Sequence, residues 1–386
     1  MPSRRTADRA TRPGAGLRSP ARGRRGRWWG FAALCLLCLG VGGGYVALAA
    51  RRAAAPPIAA SAPVDTAALA ALSDQPHVVF LSTAVGPSYG KVALVPLDAP
   101  AGERVPTGLQ CDRVYFAGGR GFCLGNNVVG GFLSSYSAYS FGRDYTPQFT
   151  FHEAGIPSRV RVSPDGRWAA STVFVAGHGY DDAGFSTYTA LRDLTTGELA
   201  GDLEQFAVWR DGARFEPVDR NFWGVTFTPD SQRFYATMGT GGQTYLVAGD
   251  LAARELRVLR PGVECPSLSP DGTRLAYKYQ VGSAGRPHWT LHVLDLATGT
   301  DTALTAETRS VDDQVEWLDE GHLLYALAPS GPPRGPEASI WRLPLDGGPP
   351  TVFIPHAYSP AVVRAPAAAQ GRTPTWSATV PRPSSS

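Results

Sequence analysis

Lysine is almost missing from this chain: Lys91 and Lys278 are the two lysines among 36 basic residues, so nearly every positive charge is an arginine. That bias is the one expected of a GC-rich, actinobacterial genome and is not read as a phosphate-binding device. No H-E-x-x-H motif occurs, so the helical zinc-site pattern is excluded. A strongly basic globular part is lacking too. Residues 1–27 hold nine Arg and one Asp, which leaves 27 basic and 32 acidic side chains in the remaining 359 residues. A balance of −5 in that part argues against nucleic-acid binding. Neither a metal nor a cofactor is expected.

Charge is absent from one long run, Trp28 to Ala50, 23 residues that suffice for one membrane-spanning helix. The nine arginines precede it and Arg51 and Arg52 follow, so the positive-inside rule predicts a cytoplasmic N-terminus and an extracytoplasmic remainder. The alternative is a secreted protein, cleaved as a signal peptide near Ala49 in Ala47-Leu48-Ala49. Cys35 and Cys38 lie inside the run and read as helix-packing residues. Residues 1–27 read as a basic disordered tail, 51–73 as an Ala- and Pro-rich linker, and 365–386 as a disordered tail.

With 44 Gly and 33 Pro, turns are dense and many short strands are favoured over long helices. Three turns share one phrase: Ser163-Pro164-Asp165-Gly166, Thr228-Pro229-Asp230-Ser231 and Ser269-Pro270-Asp271-Gly272. Each lies between two apolar, β-branched runs and reads as a hairpin turn. Degenerate copies at Ala117 to Gly121 and Trp317 to Glu320 give turn starts at 117, 163, 228, 269 and 317, spaced by 46, 65, 41 and 48 residues. A second turn recurs as Asp193 to Gly197, Asp250 to Ala253, Asp295 to Gly299 and Pro344 to Gly348. Periods of roughly 40–50 residues with four strands each describe propeller blades. Pro360 to Val363 is a first strand with no blade after it, and His77 to Leu81 begins a blade that lacks its first strand. Joining them predicts an all-β, six-bladed β-propeller over residues 74–364, closed by a C-terminal strand that completes the first blade and preceded by one transmembrane helix.

The Ser-Pro-Asp-Gly repeat resembles the TolB-like six-bladed, WD-repeat-like propeller family over roughly residues 74–364. The resemblance implies architecture, since related blades also form the propeller half of prolyl-oligopeptidase-type enzymes.

Gly86-Pro87-Ser88-Tyr89-Gly90 matches the G-x-S-x-G nucleophile elbow in letters, but it falls in a link between two strands, not on a strand-to-helix turn, and Ser88 is not assigned catalysis. Asp165, Asp230 and Asp271 read as turn residues that accept their own turns' N–H groups. Cys111 and Cys123 flank the second blade's first hairpin and could form a disulfide in an oxidising space. Cys265 reads as a small buried residue. His178 with Asp181 and Asp182 could hold a cation and is read instead as an exposed polar loop.

The links between second and third strands, roughly 82–90, 125–137, 176–187, 238–244, 279–289 and 328–338, leave the face opposite the Pro-Asp-Gly turns. They are long, and they place Tyr89, Tyr136, His178, Tyr180, Asp182, His288 and Trp289 as candidate binding residues. The 65-residue interval contains Phe206 to Trp223, where Trp209 and Arg210 join the list because Trp and Arg are enriched in binding hot spots. The expectation is a non-catalytic, membrane-tethered module that binds an envelope protein, a peptide or a cell-wall component on this long-loop face. The alternatives are a sensor acting through a membrane partner and a hydrolase or lyase working at the central channel. Such an enzyme needs His or carboxylates converging from first strands, and Arg159-Val160-Arg161-Val162 and Pro266-Ser267-Leu268 supply almost none.

Overall fold

The computed structural model describes residues 23–53, 64–129, 133–175, 186–283, 286–328 and 338–364, with side chains over 28–44, 64–125, 136–175, 186–282, 287–328 and 338–364. The chain divides into two units, Met1–Ala59 and Ala60–Ser386. In the first, α1 runs from Gly23 to Ala53. Among the described residues no helix is long and apolar enough to cross a membrane, so the spanning helix read from the sequence is not upheld. The stretch of α1 with described side chains, residues 28–44, includes five glycines.

The second unit begins with a helix, α2, over Thr66–Ser73, which corrects the reading of 51–73 as linker throughout. Asp65 caps it by accepting from Ala67 N at 3.1 Å and Ala68 N at 2.9 Å, and Leu69 and Leu72 bury into the first blade's core. Four alanines accompany these two leucines in the short run Thr-Ala-Ala-Leu-Ala-Ala-Leu-Ser, in which good helix formers outnumber all others.

Six sheets follow, each an antiparallel meander except at two places. Blade 1 takes its innermost strand from the far end of the chain: Ala357–Val363 pairs with His77–Ser82, with Val78 opposite Val362 and Val79 opposite Ala361. Lys91–Pro96 and Val105–Gln110 complete it. The inner strands of blades 2 to 6 are Arg113–Ala117, Ile156–Val162, Asn221–Phe227, Glu264–Leu268 and Glu316–Asp319. The six-bladed ring and its C-terminal closing strand are as the repeat spacing predicts. The insertion in the 65-residue interval forms two further strands, Ala207–Arg210 and Ala213–Arg214. The first of these pairs parallel to Glu255–Pro261, extending blade 4 to six strands and covering its outer edge.

His77–Ser82, the second strand of blade 1, is buried at every residue, and the other second strands are buried through their middles, because each blade packs against a neighbour on both faces. That is why these runs read as continuously apolar, not alternating. The Pro-Asp-Gly turns bond as turn chemistry demands. Ser163 donates to Asp165 at 2.5 Å and accepts from Trp168 N at 2.9 Å, while Asp165 accepts from Arg167 N at 2.9 Å. Ser269 and Asp271 repeat this, and Thr228 and Asp230 repeat most of it. Gly166 and Gly272 hold φ of 73°, and Ser231 adopts the same left-handed region at 56°.

Cys111, on the link entering blade 2, is bonded to Cys123 in that blade's second strand, enclosing the inner strand. The bridge spans 12 residues, and loop-closure entropy for that length is worth about 3 kcal/mol. We expect Cys111→Ser with Cys123→Ser to lower the urea-unfolding free energy by about that amount. An unchanged midpoint would show that the bridge constrains nothing.

Candidate binding site at the propeller axis

Each inner strand runs toward its Pro-Asp-Gly turn, so its last residues surround the axis on the turn face. There the six blades enclose a cavity of about 620 Å³. Pro164, Pro229 and Pro270 from the turns form part of its wall, with Phe116, Phe227 and Leu268 beside them. Toward the floor lie Tyr115, Arg161 and Glu316. Glu316 is buried yet fully engaged: it accepts from the Tyr115 hydroxyl at 3.0 Å and faces the Arg161 guanidinium at 3.6 Å. Burial, reinforced by the Glu316 carboxylate, pushes the Tyr115 hydroxyl well above its ordinary value, so it stays a donor. The guanidinium of Arg161 also lies 4.5 Å above the Tyr115 ring.

Beyond this floor the channel is closed by a segment that sequence reasoning missed. Asp312, Asp313, Gln314 and Val315 reach outward to the inner strands of four other blades. Asp313 accepts from Arg113 of blade 2 at 3.3 Å and from Ala326 N at 3.1 Å. Asp312 pairs with Arg159 of blade 3 at 3.7 Å and accepts from Lys278 of blade 5. Gln314 donates to Val225 O of blade 4 at 3.1 Å and Pro266 O of blade 5 at 2.8 Å. Val315 O accepts from Arg161 at 2.7 Å. The space left among Arg113, Arg159, Asp313 and Gln314 is about 10 Å³, room for no more than one water. Although burial works to raise it, the charges of Lys278 and Arg159 hold the Asp312 carboxyl below the usual range.

The expectation that inner strands bring almost no carboxylates to the axis is therefore corrected. Glu264 and Glu316 stand on inner strands, and Asp312 and Asp313 just ahead of one. Each is paired: Glu316 with Arg161, Asp312 with Arg159, Asp313 with Arg113 and Glu264 with Lys278. The available signal was the alternation itself, two arginines two residues apart on an innermost strand.

The residues singled out from the sequence do not converge. Tyr89 is about half-exposed on the link after His77–Ser82, Tyr136 lies on the third strand of blade 2, and His288 and Trp289 lie on that of blade 5. Trp209 and Arg210 sit on the added outer strand of blade 4, where Arg214 covers the Trp209 ring and Arg210 covers Phe215 and Tyr245. His178, Tyr180 and Asp182 lie outside the described residues. Trp289 alone of the described set reaches the axial charges, donating to Glu264 at 3.2 Å beneath Lys278. His288 and His292 are four residues apart but on a strand, which separates them by about 13 Å. Among the described residues no group of His, Cys, Asp and Glu is arranged to hold a metal. Ser88 lies in the link between two strands of blade 1, not on a strand-to-helix turn.

No family model and no curated protein matches the sequence. Solved structures that resemble it include TolB from Acinetobacter baumannii, at 15% identity and a TM-score of 0.48 over 75% of this chain and 67% of that one. A putative TolB from Agrobacterium tumefaciens shows 12% identity and a TM-score of 0.44 over 72% and 88%. The β-propeller domain of the Trilobed protease from Pyrococcus furiosus shows 12% and 0.37 over 63% and 70%. At these values the six-bladed assignment rests on the strand pairing described above.

Two outcomes are expected from the axis and its approach. Asp313→Ala leaves Arg113, whose side chain is 7% exposed, buried without its carboxylate, and should cost about 3–5 kcal/mol in unfolding free energy. The double replacement Arg113→Met with Asp313→Leu should recover most of that, and a cost equal to the sum of the single variants would refute the coupling. His77 is buried between Gln75 O at 2.6 Å and the Tyr145 hydroxyl at 3.3 Å. Burial first, with the Arg143 charge adding, holds its pKa below the ordinary 6.5 despite the Gln75 contact. The folded state therefore binds fewer protons than the unfolded one, and stability present above pH 6.5 is lost as pH falls below it. The melting temperature should drop from pH 7 toward pH 5, and less so in His77→Gln.

Proposed function

We propose that this chain is a non-catalytic binding module that receives its partner, an envelope protein, a peptide or a cell-wall component, in the funnel on the turn face. The observation that carries this reading is the blind cavity of about 620 Å³ to which every blade contributes. Its size lies within the roughly 300–1,000 Å³ usual for ligand sites. Its floor is sealed by Asp312 to Val315, so a ligand enters and leaves by one mouth. The charges at that floor are already paired with one another, which suits a rigid receptor better than a reactive centre. The long-loop face favoured by sequence reasoning offers its candidates scattered over separate blades.

Placement outside the cytoplasm is part of the proposal. The bonded Cys111 and Cys123 fit an oxidising compartment, and the charge-free run from Trp28 to Ala50 behind nine arginines fits a leader.

The test is photocrosslinking in cells that make the full chain. A photoreactive amino acid at Val363, on the funnel wall, should give one discrete adduct, and one at Val218, 99% exposed on the blade 4 insertion, should give none. An adduct at Val85, 85% exposed on the long-loop face, with none at Val363 would return the site to that face.

A further inference from the structure

The mouth of the funnel is electrically polarised. Its lining carries Arg143, Arg161 and Arg364 against Asp74 and Glu316, an excess of one positive charge. Glu316 is spent on Tyr115 and Arg161, and Asp74 stands 3.8 Å from Arg143 with both side chains well exposed. Arg364, where the closing strand ends, donates to the carbonyls of Trp317 and Leu318 and has no carboxylate partner among the described residues. Arg161 is nine-tenths buried, and beyond its contacts with Val315, Glu316 and the Tyr115 ring its other N–H groups have no partner among the described residues.

Across the mouth the sign reverses. Asp165 and Asp271 directly follow two of the wall prolines, on blades 3 and 5. Asp230 on blade 4 is paired with Arg233 and Glu320 on blade 6 with Arg274, whereas Asp165 and Asp271 have no ion-pair partner among the described residues. Burial would raise the Asp271 carboxyl, but hydrogen bonds from Ser269 and Thr273 hold it below its ordinary value, so it remains ionised under mildly acidic conditions. The cavity lining thus carries guanidinium groups from blades 1, 2 and 3, and Asp165 and Asp271 stand beside it on the turns of blades 3 and 5.

We infer that the funnel takes the C-terminal end of a peptide, its terminal carboxylate held by Arg161 and Arg364 and basic side chains just before it reaching Asp165 and Asp271. An apolar, proline-lined wall between two charged poles accommodates an extended backbone with small side chains between those ends. A charged guanidinium binding a carboxylate forms the stronger class of hydrogen bond, and it is stronger still where the cavity excludes water. The inference rests on the funnel being the binding site, and its test separates the two.

The probes are four labelled, N-acetylated peptides titrated against the full chain at low and moderate salt. They are Arg-Ala-Arg-Ala-Ala with a free C-terminus, the same peptide as the C-terminal amide, Glu-Ala-Glu-Ala-Ala with a free C-terminus, and Arg-Ala-Arg-Ala-Glu as the amide. The first should bind at least tenfold more tightly than the second and third, and more weakly as salt rises. The fourth should fall with the second, since a side-chain carboxylate branches off too early to reach the floor. Arg364→Gln, at an exposed strand end, should remove the advantage of the free carboxylate while leaving the preference for basic residues. Asp165→Asn with Asp271→Asn, which keeps the turn-accepting oxygens, should do the reverse. Equal affinities within twofold, or no binding by any probe, would overturn the inference. If crosslinking at Val363 nonetheless succeeds, the funnel reading stands and the charge assignment alone falls; if it fails too, both fall.

Discussion

The ring depends on one pairing between distant parts of the chain: Ala357–Val363 hydrogen-bonded to His77–Ser82. Without it, blade 1 lacks its inner strand and blade 6 has no neighbour to bury its exposed face. Arg104 reinforces the junction by donating to the carbonyls of Pro355 and His356, and Thr83 donates to Ala338 O at 3.1 Å. The closure carries an entropic cost, since it joins segments separated by nearly the whole propeller, and that cost grows only slowly with loop length. What it returns is a sheet ring with no open inner edge, in which the buried second strands of every blade are covered on both faces.

Closure also explains why so much charge can be buried at the axis. Once six inner strands face a common line, any polar side chain on them must find its partner there. Asp312, Asp313 and Gln314 serve that need, reaching the inner strands of blades 2, 3, 4 and the inner and second strands of blade 5. Desolvating these groups is costly, and pairing with further hydrogen bonds offsets it without making the network a large source of stability. Its stronger consequence is geometric. Blades 2 to 5 are each held to the same short segment leading into blade 6, so their angular positions are tied together, and the channel ends blind below Arg161 and Glu316.

The architecture was legible because its signals are local and repeated. A Pro-Asp-Gly turn needs Ser or Thr first, Asp third and a residue tolerant of positive φ fourth, and those demands leave letters in the sequence wherever a blade turns back. Even the eroded copies at 117 and 317 could be found by spacing. The axial segment left no such mark. Asp312, Asp313 and Gln314 satisfy partners 13 to 200 residues away, and a contact of that kind has no period and no neighbouring motif. The helix Thr66–Ser73 was hidden for a different reason: eight residues, six of them Ala or Leu, beside a Pro-rich stretch read as linker, and tertiary burial of Leu69 and Leu72 decided the matter. The described candidate residues stand on separate blades, whereas the cavity is made by short turns and strand ends, which leave no long loop in the sequence.

The repeated turn therefore has two consequences that a single copy would not reveal. In one blade, the aspartate is a folding residue whose oxygens are occupied by its own turn. In a closed ring, the same aspartate recurs at the same height around the axis, so a local requirement for folding becomes an electrostatic property of a whole face. Whether each copy contributes depends on its surroundings: Arg233 forms an ion pair with Asp230, while among the described residues Asp165 and Asp271 form none, though the Arg274 charge acts on Asp271. Degeneration of the repeat matters equally, since the turn at Ala117 to Gly121 has no aspartate and Arg143 lines the cavity on that side instead. The polarity of the mouth thus follows from where the repeat is kept and where it has been lost. A perfectly regular propeller would present a uniform ring and no direction for a ligand to read.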